Sequence, residues 1–197
     1  MWGPDRLRTR LLAALDGQSR RILRAEERLP AAVLVLVVYR GGDPHLVFAK
    51  KTETVPHHKG QFSFPGGVVE TFDASPVETA LREAAEEIAL DPMTVEVLGI
   101  LDDAPTGGGS RFVITPVVGL CMGTPVFRPD GREIERVLEV PLRHLLDPAC
   151  YREELWERDG AVHAVAFFTC GDDVIWGATA RILRGFLDLA FAPEVSS

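Results

Sequence analysis

The chain has 197 residues, of which 46% are hydrophobic and 25% charged, a composition typical of one globular domain with modest extensions. Its formal net charge of −8 argues against an extended nucleic-acid-binding surface, which would need a basic stripe. An acidic protein that acts on an anionic substrate would need a cation between the two.

The sequence indicates neither membrane attachment nor secretion. The longest apolar run, Ala31–Tyr39, is too short to cross a bilayer. The first residues, Met1–Arg6, lack the basic-then-apolar pattern of a secretory signal. We therefore expect a cytoplasmic protein with no membrane or nucleic-acid partner. The sequence does not decide between a monomer and a homo-oligomer. Three widely spaced cysteines without metal-ligand spacing also favour a reducing compartment; they are Cys121, Cys150 and Cys170.

The first part of the chain predicts a helix, two strands and a loop. Pro4–Leu15 has leucines at helical spacing and predicts an amphipathic helix. Ala31–Tyr39 is a continuous apolar run typical of a strand buried on both faces, and a second strand is predicted at His45–Lys50. Thr52–Gly67 follows as a long polar loop, and loops of this length in compact domains are usually functional or disordered.

A helix comes next, and its start is well marked. Ser75 can cap it, Pro76 suits the first helical position, and Glu78 completes a capping box. Pro92 ends it near Leu90, because the residue before a proline avoids helical angles. The remaining predicted elements are strands at Val95–Leu101, Phe112–Cys121, Ile134–Val140 and Val162–Thr169, a short helix at Pro141–Leu146, a closing helix at Ala178–Ala190 and a frayed tail at Pro193–Ser197.

The order of strands and helices predicts a mixed α/β layer fold. In the helix after Ser75, one apolar stripe consists of Val77, Leu81, Ala84, Ala85 and Ile88. The opposite face carries three mutually repelling carboxylates at spacings i, i+3 and i+4: Glu83, Glu86 and Glu87. Such a triplet is either a solvated acidic face or a site for a hard cation such as Mg²⁺. Arg82 is placed one turn from both Glu78 and Glu86 and could bridge them.

The segment Gly67–Leu90 resembles the Nudix box, G-x5-E-x7-R-E-U-x-E-E-x-G-U, where U is a bulky apolar residue. The R-E-U-x-E-E core falls at residues 82–87, except that the small Ala84 occupies the bulky apolar position, and Phe64-Pro65-Gly66-Gly67 matches the usual lead-in. The departures are Asp73 in place of the first glutamate, one extra residue before Arg82, and Ala89 in place of a glycine. The resemblance implies the Nudix fold, a mixed β-sheet sandwiched between helices, over residues 31–190, with a helical extension at 1–30 and a tail at 191–197.

One branch of the family, the coenzyme A pyrophosphatases, is especially similar. Asp73-Ala74-Ser75, the Gly60-to-Phe64 spacing and Trp176–Ala180 match that branch, whereas Lys51 and Pro56 replace two of its arginines. The resemblance implies hydrolysis of coenzyme A or its derivatives to 3′,5′-ADP and 4′-phosphopantetheine. A Nudix pyrophosphatase for ADP-ribose, dinucleoside polyphosphates or nucleoside triphosphates is an alternative, and so is a non-catalytic nucleotide-binding Nudix module.

The resemblance also implies roles for individual residues. Mg²⁺, with Mn²⁺ as a substitute, would be bound by Glu83, Glu86, Glu87 and the carbonyl of Gly67. Glu83 and Glu86 would also act in catalysis, and Glu133, before a late strand, is a candidate general base. Arg82 would hold the loop or a neighbouring glutamate. The substrate-binding candidates for a nucleotide diphosphate are Lys50, Lys51, His58 and Arg82, with a solvated loop as the alternative for the lysines and His58.

Overall fold

The apolar run near residue 30 forms strand β1 (Leu29–Arg40), which lies at the centre of the main sheet. The structure is a computed structural model that describes residues 2–23, 28–55, 59–107, 112–158 and 160–191. Every side chain of β1 from residue 31 to 38 is buried, as the continuous apolar pattern predicts for a strand covered on both faces.

Among the described residues, one helix precedes β1 and the other strands and helices follow it. The strands are β2 (Asp43–Lys51), β3 (Phe62–Ser63), β4 (Gly66–Val68), β5 (Val95–Ile100), β6 (Ala104–Pro105), β7 (Phe112–Cys121), β8 (Ile134–Pro141), β9 (Tyr151–Arg158), β10 (Ala161–Cys170) and β11 (Asp173–Trp176). The helices are α1 (Pro4–Asp16), α2 (Pro76–Ile88), α3 (Leu142–Leu145) and α4 (Gly177–Phe191), with short 3₁₀ turns at Pro92–Thr94 and Pro148–Cys150.

The main sheet is mixed, because β1 runs parallel to β7 on one side and antiparallel to β2 and β4 on the other. Its order is β3-β2-β1-β7-β5, with β8 on β2 and β6 on β7. The second sheet is antiparallel in the order β11-β10-β9. The register of β1 pairs Ala32 with both Gly67 and Thr115. This register holds the double glycine against the centre of the sheet.

Apolar layers cover both faces of the main sheet, as the sequence predicts. On one face α2 buries Ala80, Ala84 and Ile88 against β1 and its neighbours. On the other face the larger core takes Leu7 and Leu11 of α1 together with side chains of α4 and of the second sheet. The mixed sheet between helices is therefore confirmed. No helix in the described ranges is both long and apolar enough to cross a membrane.

Several details of the sequence prediction were wrong. The segment from residue 52 to 67 is not one continuous loop, because β3 and the start of β4 lie within it. Strands β6, β9 and β11 were missed; β6 and β11 are too short to show a period, and β9 carries charged residues along an edge strand. In α2, Ala80 is fully buried whereas Ala85 is only partly covered, so the apolar stripe is rotated from its predicted position.

Candidate metal and active site

Helix α2 places its acidic residues at unequal depths. Ser75 caps the helix by accepting a hydrogen bond from the Glu78 backbone N–H, and Pro76 occupies the first turn. The Glu78 carboxylate accepts from the Ala74 N–H, one residue before the cap, so Arg82 is left to other partners. The helical spacing predicts Glu87 on the solvated face. That prediction is wrong, because the rotated stripe turns Glu87 toward the sheet, where only 4% of it is exposed.

The buried Glu87 carboxylate has a partner on each oxygen. Its Oε1 lies 2.8 Å from the Nζ of Lys51 on β2, and its Oε2 accepts from the Gly66 N–H at 3.0 Å. Burial raises the pKa of Glu87, and the charge of Lys51 opposes that rise. Burial acts to lower the pKa of Lys51, but the charge and hydrogen bond of Glu87, together with the charges of Glu133 and Glu83, outweigh it, so the pKa of Lys51 is raised. The pair joins α2 to the second strand of the sheet.

Arg82 ties the loop before α2 to the helix. Its Nε and Nη2 donate to both oxygens of Asp73, at 3.0 and 2.9 Å. Its Nη1 donates to Glu83 at 2.9 Å and lies 3.5 Å from Glu86. The hydrogen bonds from Arg82 hold the pKa of Asp73 well below its usual range. Asp73 also accepts from the Thr79 hydroxyl and the Glu70 N–H, so Asp73 anchors the loop before α2.

The double glycine packs directly against the acidic face. Gly66 has φ 154° and a Cβ there would lie 2.3 Å from the carbonyl oxygen of Ala32, so only glycine fits without a shift. A Cβ on Gly67 would lie between 2.4 and 2.7 Å from the carboxylate atoms of Glu83. Because Gly67 has no side chain, the Glu83 carboxylate packs directly against the Gly67 backbone. We call this space beside the Gly67 backbone the glycine cradle. Burial raises the pKa of Glu83, and Arg82 opposes that rise.

Glu133 reaches the same site from the turn before β8. Its Oε2 lies 3.6 Å from the Nζ of Lys51, while 63% of its side chain is exposed. The turn is held by Asp130, whose carboxylate accepts from three successive backbone N–H groups, those of residues 132–134. The backbone N–H of Asp130 in turn donates to the carbonyl of Glu87 at the end of α2. Asp130 was missed in the sequence, although the Asp130-Gly131 turn signal could have revealed it.

The predicted site residues therefore fall into two groups. Glu83, Glu86, Glu87, Gly67, Arg82, Lys51 and Glu133 are brought together. Lys50 points to the other face of the sheet and pairs with Glu135, because neighbouring residues of a strand alternate in direction. His58 lies outside the described residues.

The donor set fits a hard divalent cation such as Mg²⁺ or Mn²⁺, since it consists of carboxylates beside a glycine cradle. Within the described ranges, no three acidic, histidine or cysteine side chains converge closely enough to cage a metal ion. Ion pairs keep the three glutamates of α2 apart from one another. Lys51 holds Glu87, and Arg82 holds Glu83 and Glu86. Glu86 is the most open of the three, with 62% of its side chain exposed.

Comparison with known proteins gives one consistent family. A family model described as NUDIX domain matches residues 28–164. The "Uncharacterized Nudix hydrolase NudL" of Yersinia enterocolitica is 38% identical over 154 residues, which are 78% of this chain and 77% of that protein. The protein of the same name from Yersinia pestis (strain Pestoides F) is 36% identical and covers 78% and 76%.

Among solved structures, the fold is similar to that of a MutT/nudix family protein from Enterococcus faecalis. The TM-score is 0.53, the sequence identity is 16%, and the match covers 84% of this chain and 63% of the other. At this identity the likeness concerns the fold alone.

Proposed function

The chain belongs to the Nudix hydrolase family, and we propose that it hydrolyses the pyrophosphate bond of coenzyme A or a derivative, releasing 3′,5′-ADP and 4′-phosphopantetheine. We further propose that the reaction depends on Mg²⁺, with Mn²⁺ as a substitute, and that it takes place in the cytoplasm. The substrate is a small nucleotide diphosphate.

One observation carries the metal-dependent reaction. The Glu83 carboxylate lies in the cradle left by Gly67, and the next oxygen donors, Glu86 and Glu87, stand within one helical turn. Only 18% of the Glu83 side chain is exposed, whereas a solvated acidic face would leave its carboxylates open to water. Lys51 and Arg82 balance the charges of these carboxylates in the absence of a metal, and carboxylate oxygens are the ligands that a hard divalent cation prefers.

The proposed ligands are Glu83, Glu86, Glu87 and the carbonyl of Gly67. A bound Mg²⁺ supplies screening of the phosphate charge and acidification of a water. Glu86 has the most exposed carboxylate of the helix triplet, and we assign it the orientation of the attacking water in addition to metal binding.

Residues around the ligands complete the proposed site. Glu133 stands at the rim, 3.6 Å from Lys51, and we assign it the role of general base. Arg82 is a positioning residue whose guanidinium holds Asp73 and Glu83 in place. A contact between Arg82 and the substrate remains a proposal. The Nη2 of Arg82 already donates to the carbonyl of Val68, so only part of the guanidinium could reach a substrate. Lys50 lies on the other face of the sheet and pairs with Glu135, so the predicted phosphate contact of Lys50 is not retained, whereas His58 remains a proposed phosphate contact.

The proposal that the chain acts on coenzyme A is supported by residues that match the coenzyme A pyrophosphatase branch and that have a structural role in this protein. Asp73, the mark of the longer loop, is the residue that fixes Arg82. Gly60 has φ 64°, so its place in the upstream motif requires a glycine. Trp176 lies on β11 in ring contact with Phe167, directly before α4.

A substrate panel tests this proposal. Coenzyme A, ADP-ribose, NADH, diadenosine polyphosphates and nucleoside triphosphates are each offered with Mg²⁺ or Mn²⁺, and the products are identified by mass. We expect 3′,5′-ADP and 4′-phosphopantetheine from coenzyme A at the highest kcat/KM of the panel. A higher kcat/KM for another substrate would contradict the coenzyme A assignment but keep the hydrolase. Binding without any product would instead support a nucleotide-binding module.

A further inference from the structure

We infer that Lys51 is an internal counter-ion for Glu87, and that a divalent cation takes its place on that carboxylate when the metal binds. The inference rests on the proposed metal site. Lys51 is then a positioning residue that holds the proposed metal ligand Glu87, and its main role is not to bind substrate phosphate. It also states what holds the ligand in place before the metal arrives.

The burial of both partners is the first argument. Glu87 is 4% exposed, and the side chain of Lys51 is 18% exposed. A carboxylate buried at this depth without a compensating cation would be strongly disfavoured. Lys51 Nζ, at 2.8 Å from Oε1, supplies that compensation. A metal ion on Glu87 would supply the same compensation, so the two cations are alternatives for one carboxylate oxygen.

The second argument is that only one oxygen of Glu87 depends on Lys51. The other, Oε2, accepts from the Gly66 N–H, which is fixed by the backbone of the glycine bend. The carboxylate therefore keeps its orientation when the ammonium leaves. Lys51 also has a second acid within reach, because Glu133 Oε2 lies 3.6 Å from its Nζ. A displaced ammonium can thus move toward the exposed Glu133 without becoming an unpaired buried charge.

The third argument is the neighbouring lysine. Lys50 precedes Lys51 on β2 but pairs with Glu135 on the opposite face of the sheet. The two side chains have the same chemistry and adjacent positions, and only Lys51 contacts the acidic face of α2. Lys50 is therefore a matched control for any measurement on Lys51.

The test is the affinity of the full-length protein for Mn²⁺, without substrate, measured by calorimetric titration. The Lys51 ammonium repels an incoming cation. A like unit charge about 4 Å away weakens cation binding by roughly fivefold in water and by more at a protein surface. We expect Lys51→Met to bind Mn²⁺ about tenfold more tightly than the natural protein and Lys50→Met to bind it unchanged. Without metal, Lys51→Met should melt at a lower temperature, and Mn²⁺ should raise its Tm more than it raises that of the natural protein.

Equal or weaker Mn²⁺ affinity in Lys51→Met would overturn the inference while leaving the proposed function in place, because Lys51 would then act on substrate or structure alone. Absence of Mn²⁺ binding by the natural protein would contradict the proposed metal site and would therefore overturn both the inference and the proposed function.

If Lys51→Met does not fold, acetylation of the natural protein by an N-hydroxysuccinimide ester tests the same exchange. Lys50, Lys51 and Lys59 are the chain's three lysines, and trypsin does not cleave after an acetylated lysine, so tryptic peptides acetylated at Lys50 or at Lys51 end at different residues and differ in mass. Mn²⁺ should accelerate modification of Lys51 relative to Lys50, and an unchanged ratio at saturating Mn²⁺ would contradict the exchange.

Discussion

At the scale of single residues, Asp73 shows how a departure from a family pattern can be explained by its contacts. The aspartate stands where the family has glutamate, and the sequence left its role open. The structure gives it two hydrogen bonds from Arg82, one from Thr79 and one from the Glu70 N–H. The contact with Arg82 joins side chains nine residues apart across a loop, which no local sequence pattern can reveal.

Replacement of Asp73 by Asn should lower the Tm at pH 7 by roughly 5 °C or more, because the Arg82 guanidinium loses the charged partner that it holds with two hydrogen bonds. Arg82 lowers the pKa of Asp73 in the folded state below the unfolded value of about 3.9. The stabilisation is therefore fully present above about pH 4 and is lost as pH falls through the folded pKa. Melting curves between pH 3 and 8 should show the Tm difference constant above about pH 5 and shrinking in acid.

The exposed pair of Arg184 with Asp188 provides the control. Asp188→Asn should change the Tm by no more than about 2 °C, since exposed pairs of this spacing contribute little. A Tm loss for Asp73→Asn that matches this control, or that grows in acid, would show that Asp73 does not stabilise the fold through its charge.

At the scale of secondary-structure elements, α2 ends in a left-handed residue that is not glycine. Because Ala89 stands in place of the family glycine, the helix cannot use a glycine as its left-handed cap there. Ala89 nevertheless has φ 55° and ψ 35°, and its N–H donates to the carbonyl of Ala85. Pro92 and the burial of Leu90 dictate where the chain must turn, so the backbone accepts the strain. Helix position was thus predictable from sequence, whereas the geometry of its end was not.

Ala89→Gly should raise the free energy of unfolding by about 0.5–1 kcal/mol, because glycine removes the strain of positive φ at a modest entropic cost. Ala85→Gly, one turn earlier and inside the helix, should lower it by about 0.5–1 kcal/mol. Urea titrations of both variants decide the matter. A loss of stability with Gly at position 89 would mean that the left-handed conformation is not strained.

At the scale of the whole molecule, the N-terminal helix belongs to the core rather than standing apart from it. Leu7 and Leu11 of α1 are fully buried against the sheet face that also receives α4. Arg8 pairs with Glu96 on β5, and Tyr39 donates to the carbonyl of Trp2. The amphipathic period predicted the helix, but its docking site depends on contacts between residues 37 and 88 positions apart in the chain, which periodicity cannot supply.

Leu11→Ala should therefore reduce the free energy of unfolding by about 2–5 kcal/mol, the usual cost of truncating a fully buried leucine. Leu155 on β9 is 76% exposed, and Leu155→Ala should change stability by no more than about 0.5 kcal/mol. Denaturant unfolding at equilibrium provides the comparison. Similar small effects for the two variants would show that α1 is not part of the cooperative unit.

The central claim is that the carboxylates of α2 carry a metal-dependent hydrolysis, and Glu86 tests it most cleanly because its side chain is mostly exposed. The measurement is kcat for coenzyme A with saturating Mg²⁺ in Glu86→Gln, beside Glu78→Gln on the same helix, whose amide oxygen can still accept from Ala74. We predict a loss of roughly 100-fold or more for Glu86→Gln, an unchanged kcat for Glu78→Gln, and equal Tm values. Turnover by Glu86→Gln within about twofold of the natural protein would contradict that claim.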